Sequence, residues 1–201
     1  MIETLLSDLG NVLLTFDNGL FFRGLAGRSR LKAPEIERIA RENVDLAVLF
    51  EKGAISEIDF YRNAKELFAA EAEFGEFFAL YCDVFTLHPP VLDLYRRLRS
   101  KVKMVLVSST DVMRWTFIKR RFPELLIFDA YALSFDIGAM KPDPLVYREA
   151  VRLAGGRPET AVFVDDLAEN VAGAERMGIQ GIVYGPGLDL ESELAHRGLR
   201  A

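Results

Sequence analysis

The ten residues LLSDLGNVLL, positions 5–14, decide the reading of this chain. Leu5, Leu6, Leu9, Val12, Leu13 and Leu14 make them a strand that runs into a turn, yet they enclose one charge, Asp8, and the flexible Gly10. An unpaired carboxylate is costly inside an apolar strand. Asp8 therefore belongs at the strand's tip, where the chain leaves the sheet.

Four further runs join Thr4–Ser7 as strands: Val102–Val107, Ala130–Leu133, Ala161–Val164 and Gly181–Tyr184. The first, third and fourth of these are rich in Val and Ile with little alternation, as parallel strands covered on both faces should be. Helical patterns at Val91–Arg99, Val112–Arg121, Leu145–Leu153 and Val171–Met177 separate the strands. Strands alternating with helices imply right-handed crossovers and an α/β fold, a doubly wound Rossmann-like parallel sheet. Ligands of such sheets sit beyond the carboxyl ends of the strands, near the point where strand order reverses.

One segment breaks the alternation. Between Asn18 and Thr86 the pattern is helical and no strand is evident. Ile36, Ile39, Ala40, Val44, Ala47 and Val48 keep helical spacing after Pro34. Ser56-Glu57-Ile58-Asp59 reads as a capping box, opening a helix that carries Phe60, Ala64, Leu67 and Phe68 on one stripe. Phe74, Phe77, Phe78 and Tyr81 suggest a further helix. The expected organisation is a catalytic core of residues 1–17 and 87–201, with residues 18–86 inserted as a helical cap.

Composition narrows the class. With 201 residues, 50% hydrophobic and 27% charged, the chain suits one soluble α/β domain carrying a modest insertion. A net charge of −5 argues against a nucleic-acid or anionic-membrane partner, and Lys119, Arg120 and Arg121 read as a solvated helix face. Cys82 is the only cysteine, which leaves no internal disulfide and no cysteine-based zinc site. No apolar run reaches membrane-spanning length and no basic leader opens the chain, so a cytoplasmic location is expected.

Chemistry-bearing residues fall at the ends of successive strands. Asp8 follows the first, Ser108-Ser109-Thr110 the second, Lys141-Pro142 comes shortly after the third, and Asp165-Asp166 ends the fourth. Each alone has a bland reading as a cap, a turn or a solvated charge. Together, in a parallel sheet, they converge on one rim. Two carboxylate sites supply hard oxygen ligands for Mg²⁺, which takes one or two protein carboxylates plus substrate oxygens. A Ser hydroxyl can hold a phosphate oxygen and a Lys can neutralise its charge. An Asp carboxylate can attack phosphorus to form an aspartyl-phosphate.

The order and spacing of these motifs resemble the haloacid dehalogenase superfamily. SDLGNVL is similar to its first motif, with Asp8 at the nucleophile position; MVLVSST resembles the second, with Ser108 as the phosphate-binding hydroxyl. GAMKPDPLVY resembles the third, with Lys141 at the lysine position, and VFVDDLAENVAGAERMGI resembles the acidic fourth. The resemblance implies a Mg²⁺-dependent phosphatase of a small phosphorylated metabolite, with a sugar phosphate as first candidate. It also implies metal contacts from Asp8, the Gly10 carbonyl and Asp166, support from Asp165, and substrate contacts from Asn11 and Ser109. The insert resembles the small four-helix cap of one subfamily.

The resemblance departs at three positions. Gly10 stands where most family phosphatases carry a second Asp that protonates the leaving group, a variant similar to the branch that includes α-glucose 1-phosphate phosphatases. Ser7 replaces a frequent Phe and Ser109 a frequent Asn. Two other readings stay open: a metal-independent 2-haloacid dehalogenase, which the pair Asp165-Asp166 disfavours, and a binding or regulatory protein that has lost turnover. His88, His196, Trp115 and Cys82 carry no expected role in catalysis, and Asp17-Asn18 reads as a hinge.

Overall fold

The computed structural model describes residues 1–201. Seven strands form: β1 Thr4–Ser7, β2 Leu14–Phe16, β3 Phe85–Leu87, β4 Lys103–Ser108, β5 Ala130–Leu133, β6 Ala161–Asp165 and β7 Gln180–Val183. Five of them make one sheet in the order β5-β4-β1-β6-β7, with every neighbouring pair parallel. Each of these five lies within one residue of its expected bounds. The helices are α1 Asn18–Ala26, α2 Ala33–Glu42, α3 Val44–Glu51, α4 Glu57–Leu67, α5 Phe74–Cys82, α6 Pro89–Leu98, α7 Val112–Arg121, α8 Ser134–Ile137, α9 Pro144–Ala154, α10 Ala168–Glu175 and α11 Leu190–His196. None is long and apolar enough to cross a membrane.

Successive residues of a strand point to opposite faces, and that rule divides the core. Leu5, Met104, Leu106, Val162 and Val164 pack on one side with Tyr95 of α6, Trp115 and Ile118 of α7, and Leu194 of α11. Leu6, Val105, Val107 and Phe163 pack on the other with Val146 and Ala150 of α9 and Ala174 of α10. Both faces are dry, which is why these strands read as unbroken apolar runs.

The insert departs from its expected form in two ways. It holds five helices rather than four, because the apolar spacing from Ile36 to Val48 is interrupted at Asn43, whose φ of −121° and ψ of 37° end α2 and let α3 start in a new direction. It also ends in a strand: β3 begins at Phe85 and pairs antiparallel with β2, matching Phe16 to Phe85. Three residues are too few for a period-2 pattern to register, and this pairing exists only because the two chain crossings between core and insert lie side by side.

Aromatic packing fills the insert. Phe50 stacks on Phe60 at 4.3 Å between ring centroids, and Phe21 meets Phe77 and Tyr81 edge-on at 5.6 and 5.4 Å. Met113 of α7 is buried in the same cluster, so the apolar centre of the insert continues into the core. A polar cluster reinforces the seam. Asp111 caps α7 through the Arg114 N–H at 2.9 Å and accepts the Tyr81 hydroxyl at 2.8 Å. Arg114 donates to Asn18 Oδ1 at 2.9 Å and lies over the Tyr81 ring at 4.3 Å. Asp17 caps α1 through the Gly19 N–H and pairs with Arg23 at 2.9 Å.

Glu51 lines a cavity of ≈ 260 Å³ beside this cluster, and burial, opposed by Arg114 and reinforced by Asp111, pushes its carboxyl up to about 7. The folded chain thus binds this proton more tightly than the unfolded chain, whose value is near 4.5, so stability falls as pH rises across that interval. Glu51→Gln removes the dependence. Its gain in Tm over wild type is expected to be small near pH 5 and about 2–6 °C near pH 8. Melting curves at the two pH values check this; an equal difference at both would refute it.

Candidate active site

β1 lies between β4 and β6, and chain order reverses there. The loops that follow these three strands meet over the carboxyl end of the sheet, where an open α/β sheet forms its binding crevice. Asp8, Ser108, Ser109, Lys141 and Asp166 all line one cavity of ≈ 390 Å³, together with Gly10, Asn11 and Asn170. Residues far apart in sequence share this rim because parallel strands put all their carboxyl ends on one side.

Lys141 is the hub. Its side chain is only 2% exposed; the ammonium pairs with Asp8 Oδ1 at 2.6 Å and donates to Asp165 Oδ2 at 2.7 Å and to the Val107 carbonyl at 3.1 Å. α10 fits tightly against the segment that carries it: a Cβ on Gly173 would lie 2.9 Å from Pro142 and 2.8 Å from the Tyr147 hydroxyl. Burial draws the Lys141 ammonium down, but Asp8 and Asp165 outweigh it and hold it above its ordinary value. Burial dominates at Asp8 as well: against the pull of Lys141, and aided by Asp165, it lifts the carboxyl to about 6.

The two carboxylates of β6's end differ in situation. Asp165 is fully buried. Its Oδ1 accepts from the Leu167 N–H at 2.8 Å and from Asn170 Nδ2 at 3.0 Å, while its Oδ2 takes Lys141. Asp166 is half-open to the cavity and receives only the Asn11 amide, at 2.9 Å on Oδ2. Asn11 sits at φ 52°, a left-handed conformation that Asn tolerates better than most residues, and this turns its side chain toward Asp166. The residue expected to touch substrate thus has its amide nitrogen on a carboxylate.

Oxygens of Asp8, Asp165 and Asp166 lie within 4.8 Å of one another. Asp165 has both oxygens committed to protein donors, which suits the supporting place the resemblance gives it better than direct ligation. Asp8, Asp166 and the Gly10 carbonyl, to which no hydrogen bond is directed, form a hard-oxygen set. Such a set fits a small divalent cation that keeps several waters.

The hydroxyl of Ser108 makes no hydrogen bond within the protein, although the residue is only 4% exposed, and it lines the cavity. Ser109 accepts the Lys141 N–H at 3.2 Å. Ser134 clamps the turn after β4, accepting from the Thr110 N–H at 2.9 Å and donating to the Thr110 carbonyl at 2.8 Å. Behind the loop that carries Asp8, the buried Tyr95 hydroxyl donates to Ser7 Oγ at 3.0 Å, and Ser7 donates to the Asp8 carbonyl at 2.8 Å. Asn170 was not among the expected site residues; its signal in the sequence is a lone polar residue on the buried side of α10, five positions after Asp165. His88 sits by the Val12 carbonyl at 3.0 Å, outside the cavity.

Comparison with known proteins bears on the family and the fold. A family model described as a haloacid dehalogenase-like hydrolase matches residues 2–178. Glyceraldehyde 3-phosphate phosphatase of Methanopyrus kandleri is 42% identical over 53 residues, 26% of this chain and 23% of that protein. An uncharacterised hydrolase of Schizosaccharomyces pombe is 30% identical over 102 residues, 46% of this chain and 44% of its own length. The matches thus span less than half of either relative. Among solved structures, a haloacid dehalogenase family enzyme of Bacteroides thetaiotaomicron superposes with a TM-score of 0.84 at 23% identity, covering 96% of this chain and 98% of its own. The same enzyme in complex with magnesium and inorganic phosphate gives 0.79 at 22% identity, covering 96% and 99%. At these identities the structures establish the fold.

Proposed function

The chain belongs to the haloacid dehalogenase-like hydrolases, and from that premise we propose that it is a Mg²⁺-dependent phosphatase of a small phosphorylated metabolite, with a sugar phosphate as the first candidate. One observation carries this reading. Asp8 stands at the base of the cavity against the buried ammonium of Lys141, with the unpaired Ser108 hydroxyl and the half-open Asp166 in the same cavity. The relative from Methanopyrus, a phosphatase of a triose phosphate, supports a small sugar phosphate, and the Bacteroides enzyme's complex supports magnesium.

Asp8 attacks the phosphorus, and the bond to the leaving oxygen breaks with its electron pair going to that oxygen. Water then hydrolyses the aspartyl-phosphate, releasing inorganic phosphate and restoring the carboxylate. Ser108 donates a hydrogen bond to a phosphoryl oxygen. Lys141 holds Asp8 in place and offsets the charge that would otherwise repel a phosphate dianion. Asp8, Asp166 and the Gly10 carbonyl are the residues that would hold Mg²⁺, which supplies charge neutralisation at the transferring phosphoryl group. Asp165, with Asn170, fixes Lys141. Position 10 has no side chain, and Asp17 cannot replace the missing acid. It is bound to Arg23 and Gly19, which hold its carboxyl below the usual range, and it lies outside the cavity. The leaving oxygen therefore departs as an anion or takes its proton from water.

A panel of phosphorylated metabolites assayed for released phosphate tests the reading. Turnover with Mg²⁺ is expected to fall by at least about 100-fold when a chelator is added. Chelator-insensitive phosphate release would remove the metal from the reading, and release of halide from a 2-haloacid would overturn it in favour of the dehalogenase alternative.

A further inference from the structure

Gly10 and Phe16 face each other in the active-site cavity. A Cβ built on Gly10 would lie 3.3 Å from Phe16 Cε1 and 3.8 Å from Cδ1. Only a few tenths of an ångström separate that contact from ordinary packing, but a carboxylate at position 10 would have to project past the ring. The ring itself is well supported. β2 pairs Phe16 with Phe85, and the two side chains meet edge-on at 6.2 Å. Even so, Phe16 remains 43% exposed while lining the same cavity as Asp8. Leu167 lines that cavity too and is 49% exposed, whereas Asp8 and Lys141 at its base are charged and buried.

Apolar surface left open beside a charged, buried centre is stabilised by whatever covers it. Aromatic faces favour flat, weakly polar partners, which keep their own polar groups free to reach water at the edges. With the phosphoryl group against Asp8 and Ser108, the exposed apolar surface left for the leaving group in this cavity is the ring of Phe16 and the side chain of Leu167. We propose that Phe16 is a specificity-determining residue. Its ring receives the flat apolar face of a cyclic leaving group, either an aryl ring or the C–H face of a sugar. The proposal rests on the phosphatase reading above. Phe16 and Gly10 then form one device: the space beside Gly10 offers a stacking surface in place of a proton donor. Selection among substrates then depends on the shape of the leaving group as well as its acidity.

Steady-state kinetics on three substrates test this: p-nitrophenyl phosphate, α-glucose 1-phosphate and acetyl phosphate, the last having no ring to stack. Phe16→Ala is expected to lower the ratio of kcat/KM for a cyclic substrate to that for acetyl phosphate by about five- to tenfold, mainly through KM. Phe16→Tyr, which keeps the flat face, should restore most of the ratio; Phe16→Leu, which keeps apolar bulk alone, should not. A loss confined to the aryl ester identifies an aryl leaving group, and one confined to the glucose ester a sugar. Equal losses on all three substrates, or full recovery with Leu, would overturn the proposal while leaving the phosphatase reading intact. No release by the Mg²⁺-supplied wild type from any of the three or from the wider metabolite panel would end the phosphatase reading, and the proposal with it.

Discussion

Asp8→Asn is expected to lose at least about 10⁴-fold in phosphate release while melting no lower than the wild type. The loss follows from the nucleophile's chemistry. An amide oxygen is a poor nucleophile and cannot form the acyl-phosphate, and removing an attacking group from a preorganised site has effects of this order. The stability half follows from electrostatics. Asp8 is 7% exposed and its carboxyl is pushed up to about 6 chiefly by burial, so its charge is costly to the folded state. Asparagine keeps the shape and leaves Lys141 paired with Asp165 at 2.7 Å, a neutral couple. Single-turnover phosphate release and a melting curve measure the two halves. Residual turnover within tenfold of wild type would remove Asp8 from the mechanism, and a marked fall in Tm would show that its charge is needed for folding.

Lys141→Met should fail in the opposite manner, losing stability as well as activity. Methionine preserves most of the buried stem, so the change removes the charge with little cavity. Asp8 and Asp165 then face each other without the ammonium that now lies 2.6 and 2.7 Å from them. Leaving a buried charge uncompensated costs about 3–5 kcal/mol, or about 6–20 °C in Tm for a chain of this size. The deficit should shrink near pH 5, because protonation of Asp8, whose carboxyl is already lifted to about 6 chiefly by burial, relieves the repulsion. The double variant Asp8→Asn/Lys141→Met should recover part of the Tm for the same reason. Thermal melts of the two single variants and the double variant at two pH values check this. A deficit independent of pH and of Asp8 would mean that Lys141 matters through packing alone.

Much of this protein was legible in its sequence. Local periodicity marked the five strands of the sheet to within a residue, and the rule that parallel strands share a carboxyl end brought Asp8, Ser108, Lys141 and Asp166 to one rim. Both signals belong to the chain itself: side-chain period is fixed by backbone geometry, and connection handedness by chirality. The same patterns marked the insert as helical, while the break at Asn43 and the three residues of β3 lay below what periodicity resolves.

Tertiary structure alone decided which groups touch. Asn11 meets Asp166 across 155 positions, Arg114 meets Asn18 across 96, and Lys141 chooses Asp8 and Asp165 together. Each pairing depends on β4, β1 and β6 being neighbours, and strand order is set by the packing of the whole chain, with no local trace in any one segment. The ring of Phe16 over Gly10, six positions apart, has a mixed origin. A local turn brings the two together, since the Asn11 N–H reaches the Leu14 carbonyl and Gly10 bridges Leu14; what supports the ring is the pairing of β2 with a strand that begins at Phe85, on the far side of the insert.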